Sequence, residues 1–152
     1  MAVTLPTLHD RIETTVAAVT PSRVSDVGKF IVTDDLNFAR LSEMPAASGL
    51  ERAFQVMDGE GREGNIQHPG VGEWVQEFVV EIYYPKMADL GSLRRIIMSD
   101  FHDVKKALDD PANWGDDVMH QWVPEGQPGL LVGRKAYVRQ IAVHVQALIA
   151  RS

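Results

Sequence analysis

The stretch EWVQEFVVEIYYP, residues 73–85, decides the fold class. Trp74, Phe78, Val80, Ile82 and Tyr84 fall at every second position, with Gln76 as the one polar member of the set. Val75, Glu77, Val79, Glu81 and Tyr83 fill the alternate positions. Period two belongs to a β-strand, whose successive side chains point to opposite faces. One set is apolar for most of its length and the other is broken by glutamates. The strand therefore sits in a sheet with one face on a core and the other partly wet. Pro85 cannot donate to a ladder and ends the strand.

Upstream, ERAFQVM (residues 51–57) reads as a second strand. Between the two lies DGEGREGNIQHPGVGE, residues 58–73, with five glycines in sixteen positions. The whole reads as a long β-hairpin whose loop, 58–73, is flexible. Glycine-rich loops also cradle phosphates, so the stretch needs a second reading. A P-loop requires Lys and Ser or Thr after its last glycine; here Asn65 and Ile66 follow Gly64. Gly59, Gly61 and Gly64 match the letters of a dinucleotide fingerprint. That fingerprint needs a following helix whose N-terminus holds pyrophosphate, and a strand follows instead. Asp58, Glu60, Glu63 and Glu73 stand against one cation, Arg62, so a phosphate would meet net negative charge.

Two amphipathic helices flank the hairpin. Leu5, Leu8, Ile12, Val16 and Val19 recur at three and four residues, with Pro6 suited to a first helical turn and Pro21 beyond the end. Leu90, Leu93, Ile97, Phe101, Val104 and Leu108 make the second stripe, with Asp89 as N-cap and Pro111 as the barrier to continuation. Arg94, Arg95, Lys105 and Lys106 lie off that stripe. DVMHQWVP reads as a strand and EGQPG as a turn. In RKAYVRQIAVHVQALIA both periods fit; its valines and isoleucine, and the turn before it, favour a strand. Residues 20–50 are ambiguous, with GKFIVTDD a short strand and MPAASG a loop. The expected fold is α+β: one domain over residues 1–152, an antiparallel sheet of about four strands, and two helices on one face.

Composition bounds the function. The 152 residues are 45% hydrophobic and 24% charged, with net charge −6. An acidic chain argues against a mainly electrostatic nucleic-acid binder or an anionic-membrane binder. There is no cysteine, which excludes disulfides, thiolate metal sites and cysteine nucleophiles. The N-terminus lacks a secretory pattern, and no apolar run approaches the ~18 residues of a membrane span. Together these place the protein in a cytoplasm-like compartment. No nucleophile-elbow G-x-S-x-G occurs. Asp100, His102 and Asp103 read as a solvated helix face with charge pairing. His9 reads as a helix-surface residue and His68 as a loop residue. Asp116 and Asp117 read as turn chemistry, and the three tryptophans as core or interface anchors. No catalytic, cofactor or metal residue is expected.

The order of segments carries a resemblance. LPTLHDRIETTVAAV is followed by ERAFQVM, the long loop, WVQEFVVEIYYP, LGSLRRIIMSDFHDVKKALDDPANW, and a final hairpin ending YVRQIAVHVQALIA. This resembles the tail terminator proteins of long-tailed (siphovirus-like) phages and of gene transfer agents, over most of the chain apart from residues 20–50. The resemblance rests on element order and length, not on a signature motif. It implies a small α+β structural subunit, not an enzyme and without cofactor, that forms a homo-hexameric ring. The ring caps the tail tube, stops its polymerisation and presents its other face to the head–tail connector or stopper protein. Implied partners are the chain itself, the tail tube protein and that connector; the net charge of −6 adds the expectation that DNA passes through the lumen without specific binding. The implied location is the virion at the head–tail junction, after assembly in the host bacterial cytoplasm. A closed ring needs heterologous contacts. The expected contact residues are Arg62, Glu63, Asn65 and His68 on the loop, Val75, Val79 and Tyr83 on the half-wet strand face, and Arg94 and Arg95 on the second helix. Two alternatives remain: another head–tail connector or neck protein, and a small metal- or ligand-binding α+β domain using His120 and His144.

Overall fold

The computed structural model describes residues 2–23, 30–32, 52–68, 71–85, 89–124, 130–132 and 136–150. In chain order these form α1 (Leu5–Ala18), β1 (Phe30–Val32), β2 (Arg52–His68), β3 (Val71–Pro85), α2 (Leu90–Asp109), a 3-10 turn (Pro111–Asn113), β4 (Val118–Trp122), β5 (Leu130–Val132) and β6 (Ala136–Ala150). The expected loop at 44–49 and turn at 125–129 lie outside the described residues, as does most of the ambiguous segment 20–50, of which Phe30–Val32 is strand.

Each helix begins where its sequence supplies a cap. The Thr4 hydroxyl accepts the Thr7 amide at 3.3 Å, and Pro6 occupies the first turn of α1. The Asp89 carboxylate accepts the Ser92 amide at 3.1 Å and starts α2. Such caps satisfy amides that have no intrahelical partner. At the far end Asp110 caps the 3-10 turn, accepting the Ala112 amide at 3.0 Å. Trp114 is buried there, its indole N–H donating to the Leu108 carbonyl at 2.8 Å.

The described strands form a six-stranded mixed sheet in the order β1-β2-β3-β6-β4, with β5 also paired to β6. The expected α+β fold is present, and its four antiparallel strands are β2, β3, β6 and β4; the short β5 and the parallel β1 add to that sheet. Phe30–Val32 pairs with β2 in parallel, because residues 33–51 intervene before the chain returns. The ambiguous C-terminal segment is strand throughout. β6 runs antiparallel to β3 from Pro85↔Ala136 to Val71↔Ala150. Its other edge takes β5, then β4, then an isolated parallel bridge from Val3 to Ile149.

Both helices cover one face of this sheet. Leu8, Ile12 and Val16 of α1 and Leu93, Ile97, Val104 and Leu108 of α2 join Phe54, Phe78, Val80, Ile82, Ile141 and Val143 in one continuous core. Burying a side chain of this size contributes about 1.5–3 kcal/mol relative to exposure. In the sheet, α1 contacts mainly β1 and β2, and α2 mainly β6 and β4.

The greatest departure from the sequence reading is residues 58–73. The described residues of this stretch, 58–68 and 71–73, are strand: β2 continues to His68 and β3 begins at Val71. Pairing persists through Gly61↔Gln76, Glu63↔Trp74 and Gln67↔Gly72, with register shifts after Asp58 and after Glu63. β6 flanks β3 along its whole length, and β4 pairs with β6 opposite Trp74–Glu77, so β2, β3, β6 and β4 lie side by side at this end. The glycines have a packing reason. A Cβ on Gly59 would come within 3 Å of the Glu77 side chain, one on Gly61 within 3 Å of Gln76 and Trp74, and one on Gly64 within 3 Å of Glu73. Large side chains of β3 lie across β2, and only residues without side chains leave them room.

A second correction concerns Asp100. It is not on a solvated face but fully buried, its Oδ2 accepting from Arg52 Nε at 2.5 Å and from the Tyr84 hydroxyl at 2.8 Å. Burial raises its pKa, and the Arg52 guanidinium and Tyr84 hydroxyl pull against that rise. Burial, then the Asp100 charge, pushes Tyr84 well above 10. Arg52 and Tyr84 are also fully buried, so this cluster ties β2, β3 and α2 together inside the core. Nearby, Arg139 lies over the Phe101 ring at 4.3 Å, its own pKa lowered by burial.

Candidate functional surface

The face of the sheet away from the helices is polar and divided into two regions. At one end Glu81 collects three donors: Gln55 Nε2 at 3.0 Å, the Tyr83 hydroxyl at 2.6 Å and Gln140 Nε2 at 2.7 Å. Gln55, Glu81 and Tyr83 are all buried, and Val138 beside Tyr83 is fully buried. Tyr83 therefore does not belong to an exposed contact strip; its hydroxyl serves this internal network. A buried carboxylate is tolerated when donors satisfy it, and Gln55, Tyr83 and Gln140 do that here.

At the other end the face is open. Trp122 and His144 are direct partners across β4 and β6, and His120 stands two residues along β4 on the same side. The Trp122 ring stacks between them, 4.8 Å from His120 at 24° and 5.2 Å from His144 at 16°. His144 Nε2 stands 3.6 Å from a Glu77 carboxylate oxygen. Glu60, Gly61, Arg62, Val75, Glu77, Trp122 and His144 line a shallow cavity of about 180 Å³. His120 and His144 belong to the alternative reading, a small metal- or ligand-binding domain. In the structure both are stacking partners of the Trp122 indole.

A larger cavity, about 270 Å³, opens between α1 and the β2–β3 pair. Leu5, Pro6 and Phe78 give it apolar walls; His9, Asp10, Asp58 and Gln76 give it polar ones. His9, Asp10 and Glu13 bring one donor atom each within 4.8 Å of one another. The two ring nitrogens of His9 have different neighbours, with Nδ1 3.6 Å from the Asp10 carboxylate. His9 Nε2 meets the Val56 carbonyl at 3.0 Å, and a carbonyl only accepts, so Nε2 carries the proton. The same nitrogen is the one 3.6 Å from Glu13. His9 is better described as a clip between α1 and the edge of β2 than as a surface residue.

Across the helix layer, α2 presents Arg94, Arg95, Met98, His102 and Lys106 to solvent. Lys105 is engaged with Asp109 at 2.5 Å, and Asp103 accepts from the Ser22 amide and hydroxyl at 2.8 Å. Arg94 and Arg95 make no ion pair among the described residues. Asp117, expected as turn chemistry, has a structural partner. Arg11 Nη1 donates to it at 2.8 Å and to the Trp114 carbonyl at 2.5 Å, locking α1 to the start of β4. Those bonds hold the Asp117 carboxyl below its ordinary pKa.

Of the expected contact residues, Arg62 and Glu63 are exposed on β2, and Val75 and Val79 are half-buried on the open side of β3. Arg94 and Arg95 are exposed on α2. Asn65 and His68 lie on the β2 strand, where their backbone alone is described. Trp122, Glu77 and Asp58 were not singled out as a group from the sequence. Only strand pairing brings β2, β3, β4 and β6 side by side. No protein-family model matches the chain, and no curated protein matches it. No helix among the described residues is long and apolar enough to cross a membrane.

Proposed function

We propose that this protein is a structural subunit that assembles into a ring, acting as the tail terminator of a long-tailed phage or gene-transfer-agent particle. In that role six copies cap the tail tube, halt its growth and offer a docking face to the head–tail connector. The observation that supports this reading is the layering. An N-terminal helix, a long β2–β3 pair, a second helix and a long final strand place two helices on one face of an α+β sheet. The tail-terminator resemblance implies a small α+β subunit, and this fold is of that class. Consistent with it, the chain carries two unlike exposed surfaces, an acidic one beside α1 and β2 and a basic one on α2, as a head-to-tail ring requires. The open end of the outer face, with Arg62, Val75, Glu77 and Trp122, suits contact with another protein: it combines aromatic surface with charges of both signs.

The test is assembly. Mass photometry and negative-stain microscopy of the purified protein should show a six-membered ring. Added to polymerising tube protein, it should shorten the tubes and sit at their ends. A chain that stays monomeric with tube protein present, and leaves tube length unchanged, would sink the reading.

A further inference from the structure

We propose that the cavity between α1 and the β2–β3 pair is the socket for the Arg94–Arg95 pair on α2 of a second copy of this chain. The inference rests on the ring reading and names its subunit contact.

The socket has the chemistry of a long cationic side chain. Leu5, Pro6 and Phe78 offer apolar surface to an aliphatic stem, while Asp10 and Asp58 offer carboxylates to its head. Asp10 is 77% exposed, and Asp58 is exposed with no ion pair among the described residues. A guanidinium binds carboxylates through two parallel N–H donors, which favours arginine over lysine in such a place. The cavity, about 270 Å³, is too small for a folded element and large enough for side chains.

The same chain carries the matching plug. Arg94 and Arg95 project from the first turns of α2, both exposed. Leu90 and Met98 flank them at 43% and 68% exposure, unusual for large apolar side chains. Arginines ringed by exposed apolar groups are typical anchors of protein contacts. The chain's net charge of −6 sets copies against one another in general. A local meeting of opposite charges overcomes that repulsion in one orientation only, which is how charge selects register. Plug and socket are different surfaces, so the contact is heterologous and propagates from copy to copy until a ring closes.

Charge reversal on each side tests this. One variant carries Arg94→Glu and Arg95→Glu; the other carries Asp10→Lys and Asp58→Lys. All four residues are exposed, and circular dichroism with thermal melting should show both variants folded. Each alone should need at least tenfold more protein than wild type to form rings. Mixed in equal amounts they should assemble again, because alternating copies restore opposite charge at every contact. The proposal is overturned, with the ring reading intact, if wild type forms rings and either variant forms them at the same concentration. It is likewise overturned if both variants fail and the mixture fails too. If wild type itself makes no ring with tube protein present, the ring reading falls and this contact with it.

Discussion

Gly61 offers the sharpest check on the reassigned glycine stretch. In a flexible loop, Gly→Ala restricts the unfolded chain and stabilises by about 0.4–1 kcal/mol. In the sheet described here the sign reverses. A Cβ at Gly61 falls within 3 Å of the Gln76 amide and the Trp74 ring. Those groups are held in place. Trp74 Nε1 donates to Gln76 Oε1 at 2.8 Å, and Gln76 Nε2 donates to the Gly59 carbonyl at 3.1 Å and the Glu77 carbonyl at 3.0 Å. Gln76 is 4% exposed, so a displaced amide finds little water to replace those partners. Overpacking of this kind costs about 1–3 kcal/mol. Subtracting the unfolded-state gain leaves a net loss of about 1–2 kcal/mol. For a domain of this size that lowers the melting temperature by about 2–8 °C. Gly59→Ala is the internal control. Its Cβ meets the end of Glu77, which is half-exposed and free to swing outward, so the change should stay within about 0.5 kcal/mol. Urea titrations followed by tryptophan fluorescence give the free energies. The double variant Gly61→Ala with Gln76→Ala should cost less than the sum of its parts, since the clash partner is gone. A Gly61→Ala protein as stable as wild type, or more so, would refute the strand assignment and restore the loop.

Two further outcomes follow from the buried and half-buried ion pairs. Asp100→Ala leaves the Arg52 guanidinium and Tyr84 hydroxyl buried without their acceptor, and should cost about 3–5 kcal/mol in chemical denaturation; a loss under about 1 kcal/mol would mean the site admits water. Asp117→Asn weakens the Arg11 clip between α1 and β4 and should cost about 1 kcal/mol near neutral pH, discounted for partial exposure. Because Arg11 lowers the folded pKa of Asp117 beneath its ordinary 3.8, the clip contributes fully above that value and is lost as pH falls through the lower folded one. The difference between wild type and Asp117→Asn should therefore shrink in acid, and a difference constant down to pH about 2 would assign the effect to something other than this charge.

The candidate surface was only half legible in advance. Arg94 and Arg95 were readable as exposed cations because they interrupt no stripe on α2, and a helix periodicity reports which residues face away from a core. Their counterpart was not readable. Asp58 was counted among loop acids, and Asp10 among the polar residues of an amphipathic helix. Nothing local to either says that the start of α1 lies against the β2–β3 pair. The same holds for Trp122, which became the filling between His120 and His144 through a cross-strand register.

The sequence by itself determined the periodic elements. The alternation in residues 73–85, the stripes of α1 and α2 apart from the exposed Leu90, and the cap Asp89 are local, and each was found where its spacing put it. It determined too that two helices share a sheet face, because only one set of positions on β3 is apolar enough to receive them. Tertiary structure alone decided what has no period. Glycines at 59, 61 and 64 carry no side chain to alternate, so they looked like loop until Glu77, Trp74 with Gln76, and Glu73 were seen lying across them. Asp100 looked solvated until Arg52 and Tyr84, far off in the chain, arrived inside hydrogen-bond distance. A residue's spacing records which way it points, but its reason for being there often stands on the neighbouring strand.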